Sequence, residues 1–167
     1  MNKKAKVQKK TNKQVTMSII VILLLGAIII ISKFLSGGSE SSQAGQEIVI
    51  NKNEITDTVR YYPVKSGKQN MEVLAVKASD GTIRTAFNTC QVCNGSPRAY
   101  YEQEGDVLVC QNCGNRFEMD MIEQQRGGCN PVPIFLEDRK EDEASITISS
   151  EYIAQNKGLF SSNWKTK

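Results

Sequence analysis

The chain has 167 residues, 21 of them lysine or arginine and 18 aspartate or glutamate, with five cysteines and no histidine. Without imidazole, histidine-based acid–base catalysis and histidine metal ligation are both excluded. The net charge of +3 is uneven: the first 33 residues carry seven lysines and no acid, leaving about −4 on residues 34–167 and no support for a nucleic-acid partner.

Lys3, Lys4, Lys6, Lys9, Lys10 and Lys13 precede an apolar block in which Lys33, near the far end, is the strongly polar exception. About 20 helical residues rise roughly 30 Å, the thickness of a bilayer's hydrocarbon core. Residues 1–14 therefore read as a basic cytoplasmic segment and 15–35 as a transmembrane helix, oriented by the positive-inside rule. A cleaved signal peptide is the rival reading, because the strictly apolar stretch Ile19–Ile31 falls within its usual length. No A-x-A-like cleavage site follows it, so the expectation is an uncleaved single-pass anchor in the cell membrane, touching lipid, with the remainder extracytoplasmic. Residues 36–46, SGGSESSQAGQ, are small and polar and read as a flexible linker.

Residues 47–158 are expected to form one domain, with 159–167 as a tail. Its signals are those of strands and turns. Glu47–Ile50 alternates, Val59–Lys65 is β-rich with Pro63 suggesting an edge, and Met71–Ala78 alternates as a half-buried strand. Ser79-Asp80-Gly81 predicts a hairpin returning through Thr82–Asn88 into Cys90. A second hairpin turns at Glu104-Gly105-Asp106 and delivers Cys110. Ser145–Ser149 predicts a strand, and Ser149 or Ser150 caps a short helix that stops at Gly158. The fold class is mainly β: antiparallel sheets with two Cys-x-x-Cys loops, preceded by one N-terminal transmembrane helix.

The cysteines run C-x2-C-x16-C-x2-C-x15-C over Cys90, Cys93, Cys110, Cys113 and Cys129. Two residues between cysteines let one tight turn aim both sulfurs at a common point, and two such turns complete a tetrahedron with metal–sulfur distances near ~2.3 Å for zinc. Gly114 follows the second pair where such a turn needs positive φ, and Asn94 holds the matching place after the first. Cys90, Cys93, Cys110 and Cys113 are thus the expected metal ligands. Structural disulfides and a thiol-exchange pair are the alternatives that an extracytoplasmic location permits. Cys129, between Gly127-Gly128 and Asn130-Pro131-Val132-Pro133, is an additional thiol of the site, a replacement for one of its ligands, a resolving thiol in redox change, or a buried small hydrophobe. Arg98 and Arg116 flank the loops as ordinary surface residues or as counter-charges. Tyr61, Tyr62, Tyr100 and Tyr101 read as hairpin packing. No catalytic constellation is visible, so a turnover enzyme is not expected.

The stretch IRTAFNTCQVC…GDVLVCQNCGNRFEMDMIEQQRGGCNPVPI resembles the bacterial FtrD-like domain family of membrane iron–sulfur proteins, over about Glu47 to Ile134. The resemblance implies an iron–sulfur cluster or iron as cofactor, and association with an iron-transport system. It further implies a membrane permease or redox partner and an electron-transfer role. The layout of hairpin, ligand loop, hairpin and ligand loop is also similar to Rieske domains, with cysteine at each histidine place. Four thiolates would set a [2Fe–2S] potential toward the roughly −400 mV of plant-type clusters. The alternative is a structural zinc held by the same four cysteines for protein–protein assembly.

Overall fold

The computed structural model describes residues 46–165. The expected basic segment, anchor and nearly all of the linker lie outside the described residues. Among the described residues no helix is long and apolar enough to cross a membrane.

The strands follow in chain order: β1 (Ile48–Asn51), β2 (Arg60–Ser66), β3 (Gln69–Lys77), β4 (Ile83–Cys90), β5 (Tyr101–Glu104), β6 (Val107–Cys110), β7 (Arg116–Glu118), β8 (Pro131–Pro133), β9 (Lys140–Glu141) and β10 (Ser145–Ile148). They pair antiparallel into three sheets, ordered β1-β10-β9, β2-β3-β4-β8 and β5-β6-β7. The single α-helix among the described residues, α1 (Ser150–Gln155), starts where the Ser149 hydroxyl accepts the Tyr152 amide at 3.2 Å. It ends earlier than expected, and Gly158 lies in a separate 3-10 turn, Lys157–Leu159.

Both predicted hairpins are present. Gly81, at φ 82°, ends the β3–β4 turn, and Gly105, at φ 62°, makes the β5–β6 turn. Pro63 sits on β2, an edge strand whose pairing runs from Arg60–Ala75 to Ser66–Gln69. Strand β3 departs from its half-buried expectation: Met71 to Val76 are all buried. The reason is that its sheet has a core on each face. Met71, Val73 and Ala75 pack with Ile50, Phe87, Ile146, Ile148 and Ile153 on one side. Leu74 and Val76 pack with Ala86, Tyr101, Leu108 and Phe117 on the other. Each such fully buried aliphatic side chain contributes roughly 1.5–3 kcal/mol.

Two elements escaped the sequence patterns. Strand β8 is the Pro131-Val132-Pro133 segment, expected as a stiff loop, which pairs with β4 through Phe87–Val132 and Cys90–Pro131. Phe160 and Trp164, beyond the boundary expected at 158, are buried in the first core and stack edge-on at 5.0 Å between ring centroids.

The β4–β8 register shifts between Phe87 and Cys90, which leaves Asn88 and Thr89 buried without partners opposite on β8. Their side chains take over. Asn88 Oδ1 accepts the Tyr101 amide at 2.8 Å, and its Nδ2 donates to Tyr101 O at 3.3 Å and to Glu72 at 2.7 Å. The side chain thereby imitates a peptide group and stitches β4 to β5. Asn88→Ala is expected to destabilise the fold by about 2–3 kcal/mol in urea denaturation, because buried donors and acceptors lose their partner together. A change under 1 kcal/mol would contradict that role.

Candidate metal centre

The three segments that carry cysteine start or end on strands. Cys90 is the last residue of β4, Cys110 the last of β6, and Cys129 lies two residues before β8. Sheet geometry therefore fixes the bases of all three loops.

The first two loops use the same turn. Around Cys90, the amides of Val92 and Cys93 point at Sγ. Around Cys110, the amides of Asn112 and Cys113 do the same. The second turn closes with Gly114 N donating to Cys110 O at 2.8 Å, at φ 72°. An L side chain at that angle would be strained, although nothing lies within 4 Å of an added Cβ. The Asn115 amide then points at Cys113 Sγ. Asn94 breaks the expected symmetry: among the described residues the only non-glycine positions with positive φ are Glu123 and Lys165. The first loop closes differently, through Ser96 N to Cys93 O at 2.8 Å. Ser96 Oγ then donates to Asn112 Oδ1 at 2.7 Å and ties the two loops together.

The third segment is pinned to both. Gln91 accepts the Gly127 amide at 3.2 Å and donates its own amide to Asn130 O at 3.4 Å. Asn115 Nδ2 donates to Cys129 O at 2.6 Å. Gly127 and Gly128, both at φ 86°, turn the chain so that the Cys129 thiol faces the other loops.

The result is a group of sulfurs. Cys90, Cys93, Cys113 and Cys129 have Sγ atoms all within 4.8 Å of one another, with Cys113 and Cys129 at 3.7 Å. Cys110 is buried and lies outside this group, near enough for the thiols of Cys113 and Cys90 to act on it. Three of the four expected ligands, Cys90, Cys93 and Cys113, lie in this group; the fourth place is taken by Cys129, not by Cys110. None of the five forms a disulfide.

The electrostatics are those of a crowded thiol group short of positive charge. Burial pushes Cys110 up to about 12, and burial with the neighbouring Cys113 pushes Cys129 up to about 12. The Asn115 amide, then the thiols of Cys110, Cys129 and Cys93, outweigh burial at Cys113 and bring it down to about 7. At Cys90 burial is outweighed by the Tyr101 hydroxyl and the loop amides, so its thiol lies below its ordinary range. Several thiolates cannot coexist at these separations without a cation, which is what a metal centre supplies. Arg98 is exposed, and Arg116 is on the surface, paired with Glu104 at 2.8 Å.

Tyr101 is the residue that sequence patterns missed. Its side chain is fully buried, and its hydroxyl makes no hydrogen bond in this structure. Burial pushes its pKa up, and the nearby thiols of Cys90, then Cys110 and Cys129, push it further. An unsatisfied buried hydroxyl costs about 1–3 kcal/mol, which the packing around it must offset.

A mainly β domain that gathers four thiols within 4.8 Å, with a fifth cysteine nearby, fits the class of sulfur-ligated metal-binding proteins. The family model for FtrD-like membrane iron–sulfur containing proteins matches residues 55–160, and the chain belongs to that family. Neither the curated proteins nor the solved structures give a match.

Proposed function

We propose that this protein is a membrane-anchored, extracytoplasmic carrier whose thiolate centre holds iron, as an iron–sulfur cluster, and passes single electrons or iron to a membrane transport system. The observation that carries this reading is the convergence of four sulfurs within 4.8 Å of one another in a chain of an iron–sulfur family. The donor set fits the cofactor. Cys90, Cys93, Cys113 and Cys129 would hold it, with Cys110 the fifth thiol beside them. When bound, such a cluster supplies one-electron chemistry.

The chain's own residues do the rest. Loop amides at Cys90, Cys110 and Cys113 spread thiolate charge, and the sheet ends keep the loops in place. Cys113 is exposed and Val92, at the tip of the first loop, is 64% exposed, so the centre reaches the surface where a partner would meet it. The lysine-rich N-terminus supports an anchor with its basic end in the cytoplasm. The two hairpin-borne loops follow one another in the order of a Rieske-like layout, but Cys129 on a third segment departs from its two ligands per loop.

One observation favours a second reading. Four sulfurs at ~2.3 Å from one tetrahedral ion stand ~3.8 Å apart, close to the 3.7 Å of Cys113 and Cys129. That spacing suits a single zinc or iron ion and a structural role. Anaerobic purification of the full-length protein tests the two. Iron with acid-labile sulfide and a visible absorption bleached by dithionite is the expected result. One colourless zinc per chain that withstands reductant would replace it with the structural reading.

A further inference from the structure

Tyr101 occupies an unusual position for a buried tyrosine. Its backbone is held at both ends of the peptide by Asn88, and its Cα pairs with that of Cys110 across the β5–β6 ladder. Its ring lies in the second core with Leu74, Ala86, Leu108 and Phe117. Ring and backbone are therefore both fixed, and the hydroxyl cannot swing to water or to another oxygen. It is left without a hydrogen-bond partner in a core shared with Cys90 and Cys110, against which Cys93 and Cys129 also pack. Of these thiols Cys90 acts on it most strongly.

Resting on the metal-centre reading above, we propose that Tyr101 is a positioning residue of that centre, whose buried hydroxyl donates a hydrogen bond to the Cys90 thiolate and draws electron density from the metal–sulfur bond. The backbone amides of Val92 and Cys93 serve the same sulfur but come with any Cys-x-x-Cys turn of this shape. Tyr101 is different, because one oxygen atom on a distant strand sets the bond. Hydrogen bonds to ligand sulfur favour the more negative, reduced state of a redox centre, so this one raises the reduction potential.

The test uses full-length protein, loaded anaerobically, with Tyr101→Phe beside the neighbouring Tyr100→Phe as control. In the iron form, Tyr101→Phe is expected to lower the midpoint potential by the equivalent of about tenfold in the one-electron equilibrium constant, or ~59 mV. In the Co(II) form, its sulfur-to-metal charge-transfer band is expected to move to longer wavelength, as the thiolate becomes a better donor. Tyr100→Phe should leave both readings at wild-type values. Fluorotyrosine at position 101, a stronger donor that keeps ring and hydroxyl, should shift both readings in the opposite direction even if the phenylalanine variant fails to fold. Protein that takes up Co(II) but no iron would refute the electron-transfer reading, while the cobalt band would still decide the role of Tyr101. Coincidence of the Tyr101-substituted and wild-type bands would overturn the proposal.

Discussion

Serine in place of Cys129 is expected to lower metal affinity more than about 100-fold, as deeply as serine in place of Cys90. Removing an outer hydrogen-bonding partner of a metal ligand costs roughly 10–100-fold, and loss of the ligand itself should exceed that. The expectation follows from position. Cys129 lies within 4.8 Å of Cys90, Cys93 and Cys113, and its carbonyl is fixed by Asn115 at 2.6 Å. It is therefore already in place before a metal arrives. Cys110→Ser is the informative companion, because Cys110 stands beside this group. Retention of one ion by Cys110→Ser, with loss by Cys129→Ser, would make the tetrahedron Cys90, Cys93, Cys113 and Cys129. Competition with a chromophoric chelator measures both variants. A Cys129→Ser protein that loads like the wild type would remove Cys129 from the centre.

The same experiment bears on stability. Metal binding to thiols is coupled to folding because the site does not exist in the unfolded chain, and it contributes about 10–16 kcal/mol in small zinc domains. Here Cys90 and Cys110 belong to the second core, whereas Cys93, Cys113 and Cys129 are only partly buried or exposed. Metal removal should accordingly loosen the loops while the two cores persist.

Much of this arrangement was legible because it is written in local chemistry. The Ser79-Asp80-Gly81 turn, the Gly105 turn and the Cys-x-x-Cys spacing each act over a few residues, and each appears where the pattern predicts. What escaped is tertiary. β8 contains two prolines, which cannot donate to a ladder, and it exists because β4 offers it an edge. Asn88 reads as an ordinary polar residue, yet the register shift beside it makes it a substitute peptide group. Tyr101 was indistinguishable from a hairpin-packing tyrosine, since nothing local reveals a sulfur across the sheet. Phe160 and Trp164 follow a helix stop and look like a tail, but their rings meet Phe87 and Tyr100, each more than 60 residues earlier.

Glu123→Ala is expected to destabilise the fold by about 3–5 kcal/mol and to weaken metal binding with it. Glu123 lies on the strap between β7 and β8 that carries Cys129, and it holds that strap to the sheet. Its carboxylate accepts the Thr85 amide at 2.6 Å and forms an ion pair with Arg139, the two side chains being 10% and 4% exposed. Arg139 also donates to Ile134 O at 3.0 Å and to Glu141 at 3.0 Å. Truncating Glu123 leaves a buried guanidinium short of its nearest anion and strands the Thr85 amide. The backbone there sits at φ 65°, an unfavourable angle for glutamate, so the side-chain anchor must also offset that strain. Glu123→Gln keeps the hydrogen-bonding shape without the charge and should cost less. Apolar replacement of both Glu123 and Arg139 should cost less than Glu123→Ala alone, because no uncompensated charge remains. Thermal denaturation of the three variants, followed by metal titration at a temperature where all are folded, separates loss of stability from loss of the site. Wild-type metal affinity in a destabilised Glu123→Ala protein would show that the strap holds Cys129 without this anchor.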